Sequence, residues 1–86
     1  MKQEIEIKKY NVNKGLELNW LNGFNINIRL ESNEVMIFAN REGLISLANH
    51  MLTLAQNEVP IGMHIHLDEY NSLEDGSYDL VIEKIE

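Results

Sequence analysis

One stretch of this chain carries helical periodicity, and it is fenced at both ends. Apolar residues fall at Leu44, Leu47, Ala48, Met51, Leu54 and Ala55, with Ile45 and Leu52 widening the stripe. Asn40 stands before them as an N-cap, and Glu42 lies in the first turn, near the positive end of the helix dipole. Pro60 offers no amide and restricts Val59, so the helix is expected to end near Glu58. Ser46, Asn49, Thr53, Gln56 and Asn57 form the opposite, polar side. A helix of roughly 17 residues runs about 25 Å, the length of a seven-residue strand. A chain of 86 residues has room for one packed layer between such a helix and a sheet, and residues 1–86 are expected to form a single domain.

Elsewhere the apolar period is two. Residues 3 to 9 alternate, with Ile5 and Ile7 against Glu4, Glu6 and Lys8, and read as a first strand. Residues 16–20 and 24–30 alternate on either side of Leu21-Asn22-Gly23. A two-residue Asn-Gly turn would set Asn19 against Ile26 and Glu17 against Ile28, mixing polar and apolar on one face. A three-residue loop instead pairs Trp20 with Phe24, Leu18 with Ile26 and Leu16 with Ile28, and puts Gly23 where a left-handed residue is needed. The three-residue loop is therefore expected. A two-residue loop at Ser32-Asn33 next pairs Leu30 with Val35, Ile28 with Ile37 and Ile26 with Ala39. Met36 and Phe38 then lie on the polar side of the meander, where apolar residues point to a covered strand or a partner.

After the helix come a strand over 63–67, a loop over 68–77 and a last strand over 78–85. Strand, helix, strand in that order predicts a right-handed crossover with the 63–67 strand parallel to 35–39 or a near neighbour, and the last strand antiparallel. The expected fold is α+β: a five- or six-stranded mostly antiparallel sheet with one helix packed on one face.

The charge balance narrows the partners. Fourteen acidic residues against 7 basic ones leave a net charge of −7. That opposes nucleic acid and anionic membrane, both of which need positive charge on the protein. It suits a basic protein surface, and it also keeps a small protein soluble. There is no cysteine, hence no disulfide or thiolate chemistry. No secretory signal and no apolar run of membrane-spanning length appear, so the expected compartment is cytoplasmic.

The groups that could do chemistry concentrate at His64-Ile65-His66-Leu67-Asp68, where both imidazoles and the carboxylate share one side of a strand. His-x-His with a carboxylate can supply two or three ligands to zinc or iron. A complete site needs another ligand, and His50 falls at the polar edge of a helix expected on the sheet's other face. No metal and no cofactor are therefore assigned. The residues also fit wet-face strand pattern, or a pH-sensitive partner surface. No serine stands in a nucleophile-elbow context, and neither a phosphate-binding glycine loop nor His-Glu-x-x-His occurs. Glu74-Asp75, extended by Asp68 and Glu69 and flanked by Tyr70 and Tyr78, reads either as a solvated turn or as an acidic knob facing Arg or Lys of a partner. Trp20 is expected in the core beside Phe24.

The segment Gly43-Leu44-Ile45-Ser46-Leu47-Ala48-Asn49-His50-Met51-Leu52-Thr53-Leu54-Ala55, then His64 to Asp68 and Asn71-Ser72-Leu73-Glu74-Asp75-Gly76-Ser77, resembles the immunity protein 32 family of small bacterial proteins, over residues 35 to 85. The matching positions are Asn49, His50, His64, His66, Asp68, Asn71, Leu73, Glu74 and Gly76. The resemblance implies a protein encoded beside a polymorphic toxin, often a nuclease, and neutralising it by tight binding.

The reading that follows is a non-enzymatic protein-binding domain that occludes a basic toxin or nuclease. His64, His66, Asp68, Glu69, Tyr70, Glu74 and Asp75 are expected to meet the partner. Two alternatives stand beside it: a metal-binding or hydrolytic protein built on His64 and His66, and a homodimeric structural module joined through Met36 and Phe38.

Overall fold

A computed structural model describes all 86 residues. Its elements are β1 (Ile26–Glu31), β2 (Glu34–Ala39), α1 (Arg41–Leu54), β3 (His64–Leu67) and β4 (Leu80–Glu83). They form two separate two-stranded antiparallel sheets, β1–β2 and β3–β4, and one helix. This corrects the expected five- or six-stranded sheet.

The β1–β2 hairpin keeps the register that the apolar pattern demands: Ile26 faces Ala39, Ile28 faces Ile37 and Leu30 faces Val35. Ser32 and Asn33 both take positive φ, 50° and 66°, as a two-residue type I′ turn requires. Asn40 caps α1 as its position predicts, its side chain accepting from the Gly43 amide at 2.8 Å while Glu42 occupies the first turn. Gly43 lets the helix start close against β1. A Cβ there would stand 2.7 Å from the Asn25 carbonyl oxygen and 2.9 Å from Ile26 Cγ1.

The expected strands at 3–9 and 16–20 are absent as ladder elements, because side chains of α1 and of the turn after it take backbone groups of this region. Asn49 Oδ1 accepts from the Asn19 amide at 3.0 Å and its Nδ2 donates to the Glu6 carbonyl at 2.9 Å. Ser46 Oγ accepts from the Leu21 amide at 2.9 Å, and Gln56 Oε1 from the Tyr10 amide at 2.9 Å. Ser46, Asn49, His50 and Thr53 are therefore buried, and the helix's polar side faces inward. That side is buried together with Leu47 and Leu54 of the apolar stripe, while Leu44, Met51 and Leu52 are about half exposed. The expected three-residue loop at Leu21-Asn22-Gly23 does not form: Asn22 and Gly23 are the central residues of a β-turn, Gly23 at φ 81° and the Phe24 amide donating to the Leu21 carbonyl, and no Trp20–Phe24 ladder follows from it.

The core gathers Ile26 and Ile28 of β1, Leu47 and Leu54 of α1, Ile65 and Leu67 of β3, and Val59 and Leu73 from the loops. The helix stops at Leu54 rather than near Glu58. Beyond it Lys84 Nζ reaches over from the C-terminal segment to the carbonyls of Gln56 and Val59, at 2.7 and 2.9 Å, satisfying groups that another helical turn would have used. No parallel crossover forms. β3 pairs with β4 alone, because the chain between Leu67 and Leu80 lies against the far edge of β1: the Glu74 and Tyr78 amides donate to the Ile26 and Ile28 carbonyls, each at 2.9 Å.

Candidate functional site

Alternation in β3 does what the sequence asks of it. Ile65 and Leu67 enter the core, and His64 and His66 emerge to solvent on the same side. The antiparallel register then sets His64 opposite Glu83 and His66 opposite Val81, so continuing it carries Asp68 toward Asp79. His66 Nε2 lies 2.9 Å from Asp79 Oδ2 and 4.0 Å from Asp68 Oδ2. Ligand atoms of these three residues lie within 4.8 Å of one another, close enough to share a divalent cation. His64 stands apart, its Nδ1 3.5 Å from the Gly62 carbonyl.

The loop that follows is built from its own polar groups. Asp68 Oδ1 accepts from the amides of Tyr70 and Asn71, and the Asp68 carbonyl accepts from Asn71, Ser72 and Leu73. Asn71 answers by accepting the Asp68 amide at 3.0 Å and donating to the His66 carbonyl at 3.1 Å. Leu73 plugs the core at 5 % exposure. Glu69 is half-buried and closes the loop by accepting from the Gly76 amide at 2.8 Å, while Glu74 accepts from Asn25 Nδ2. Tyr70 stands out at 91 % exposure, and Asp75 is exposed beside it in the chain's acidic turn.

All seven residues expected to meet a partner thus belong to β3 and the loop after it. Between residues 64 and 83 lie six carboxylates and neither lysine nor arginine. Lys84, the next cation along, is spent on backbone carbonyls. A groove of about 330 Å³ borders this face, lined by Leu16, Leu18 and Trp20 on one side and by His64, His66 and Asn71 on the other. Asp79 is the member that sequence reasoning missed. The signal was there, since any register that pairs His66 with Val81 brings Asp79 to Asp68.

One other residue sits where the sequence did not place it. His50, expected at a polar helix edge, is fully buried, its ring edge-on to Trp20 at 4.2 Å between centroids. Its Nδ1 lies 3.3 Å from Asn49 Oδ1 and its Nε2 has no partner; burial pushes its pKa down to about 4. Trp20 is half-buried and stacks on Phe24 at 4.4 Å, as expected, with the histidine added. Met36 and Phe38 lie on β2, in the other hairpin, Phe38 exposed and Met36 half-buried.

No helix is long and apolar enough to cross a membrane. No curated protein and no solved structure matches the chain. Residues 34–85, from β2 through α1, β3 and the acidic loop to the segment after β4, match the model of immunity protein 32, and the chain belongs to that family.

Proposed function

We propose that this protein is a non-enzymatic inhibitor that neutralises a cognate bacterial toxin by covering it, with the β3 face and its loop as the binding surface. Family membership supplies the class of partner, a protein toxin. The observation that carries the choice of surface is the set of six carboxylates between residues 64 and 83 without a compensating lysine or arginine, five of them on a loop closed by its own hydrogen bonds. A surface fixed before binding loses little conformational freedom on association, and its negative charge speeds encounter with a basic enzyme. His64, His66, Asp68, Glu69 and Tyr70 supply hydrogen bonds and an exposed aromatic, and Glu74 and Asp75 supply charge.

The test is calorimetric titration of the toxin encoded beside this gene. Asp75→Lys removes charge without removing a hydrogen bond, whereas Glu74→Lys also gives up the bond to Asn25. The double variant is expected to bind at least about tenfold more weakly, with the loss shrinking at high salt. Affinity equal to wild type would take this turn out of the interface.

The grouping of His66, Asp68 and Asp79 favours a second reading, a divalent-cation site. It expects stoichiometric zinc to survive dialysis of wild type and to be lost from His66→Ala but not from His64→Ala. Zinc lost equally from all three proteins would discard it.

A further inference from the structure

β2 is an edge strand. One edge of this strand pairs with β1 and the other pairs with nothing. In a two-residue hairpin the residues flanking the turn exchange hydrogen bonds, so Glu34, Met36 and Phe38 turn their backbone groups toward β1. Val35, Ile37 and Ala39 turn theirs outward. The far side of β1 obeys the same parity, since it is Ile26 and Ile28 whose carbonyls receive the loop amides there. No hydrogen bond reaches the outward groups of Val35 or Ile37. Side chains at this edge are apolar on both faces and open: Val35 is 69 % exposed, Ile37 43 % and Phe38 46 %. Edge strands ordinarily carry a lysine, a proline or a bulge to block pairing, and Val35 to Ala39 contains none of these.

We propose that β2 is the interface of a homodimer, two copies pairing β2 against β2 antiparallel about a two-fold axis at Ile37. The register is self-complementary in three respects. Ile37 meets Ile37 of the second copy and Val35 meets Ala39, so every pair of facing backbones is an outward-turned pair and the ladder closes. Met36 meets Phe38 on the other face, so both faces of the seam are apolar. Glu34 of each copy comes to the end where Arg41 of the other opens its helix, placing opposite charges together twice by symmetry. A basic toxin has little to find here, because the strand between Glu34 and Arg41 is uncharged and the carboxylates concentrate on the other hairpin. A six-residue strand pair is a small interface, so the dimer is concentration-dependent, in the micromolar range or weaker.

Sedimentation equilibrium from micromolar to near-millimolar protein tests this. Wild type is expected to pass from monomer to dimer. Ile37→Lys and Ile37→Glu, each checked for unchanged circular dichroism, are expected to stay monomeric alone and to form a heterodimer when mixed, because lysine then meets glutamate on the axis. Should either fail to fold, Val35→Lys at a more exposed position is expected to weaken the dimer at least tenfold. A wild type that stays monomeric throughout, or a dimer that tolerates Ile37→Lys and Val35→Lys, would overturn the proposal. So would a dimer lost on Leu52→Lys instead, which would move the seam to the exposed stripe of α1.

Discussion

His50 and Asn49 are the two side chains on which the interior turns. His50 is buried beside Trp20 with Nε2 unpartnered and a pKa of about 4, against about 6.5 when unfolded. Because its folded pKa is depressed, the unfolded chain binds the extra proton first, and stability falls as pH drops from 6.5 through 4; above 6.5 this histidine has no effect. Between pH 7 and pH 4.5 it accounts for a loss of about 2–3 kcal/mol. Urea midpoints at the two pH values should therefore differ less in His50→Met than in wild type, and an equal difference in both would show that other groups cause the acid sensitivity. Asn49 holds two backbone segments at once, through Asn19 and Glu6. Asn49→Ala is expected to cost about 2–3 kcal/mol and to make residues 1–21 the first site of protease cleavage. Cleavage elsewhere, or stability within about 0.5 kcal/mol of wild type, would show the clamp to be dispensable.

Among the elements, those whose apolar period matches their own geometry were legible from sequence. The β1–β2 register, the Ser32-Asn33 turn, the Asn40 cap and the outward His64 and His66 all follow from local pattern. What the pattern could not tell was which partner the amides of residues 6–21 would choose. Alternation marks an extended segment, and an extended segment is satisfied equally by a neighbouring strand or by the amide and hydroxyl side chains of Ser46, Asn49 and Gln56. The same ambiguity hid the burial of the helix's polar side, since hydrophobicity alone ranks a buried, hydrogen-bonded Asn49 as a solvent residue. At the candidate site the histidines and acidic loop were readable, whereas Asp79 required the β3–β4 register. Two substitutions test the elements directly. Gly43→Ala should destabilise by about 1–3 kcal/mol, because the new Cβ would meet the Asn25 carbonyl rather than a movable side chain. Changing Ser32-Asn33 to Asn-Gly should stabilise by about 0.5–1 kcal/mol, relieving two left-handed residues at the turn. Thermal or urea unfolding of both variants reads the signs.

For the whole molecule, the family match begins at Glu34, so residues 1–33 lie outside it, while β2, α1 and the acidic loop lie within. The segment outside the match supplies the other wall of the groove beside His64 and His66, through Leu16, Leu18 and Trp20. One face of the protein is acidic and loop-built, the surface proposed for the toxin, and another edge is apolar and strand-built, the surface proposed for a second copy of the chain. Hydrogen–deuterium exchange on a complex with the proposed toxin partner separates them most directly. The account predicts new protection over residues 64–79 that is retained in the complex made with Ile37→Lys. Protection confined to residues 34–39 or to the exposed stripe of α1, with 64–79 exchanging as in the free protein, would contradict it.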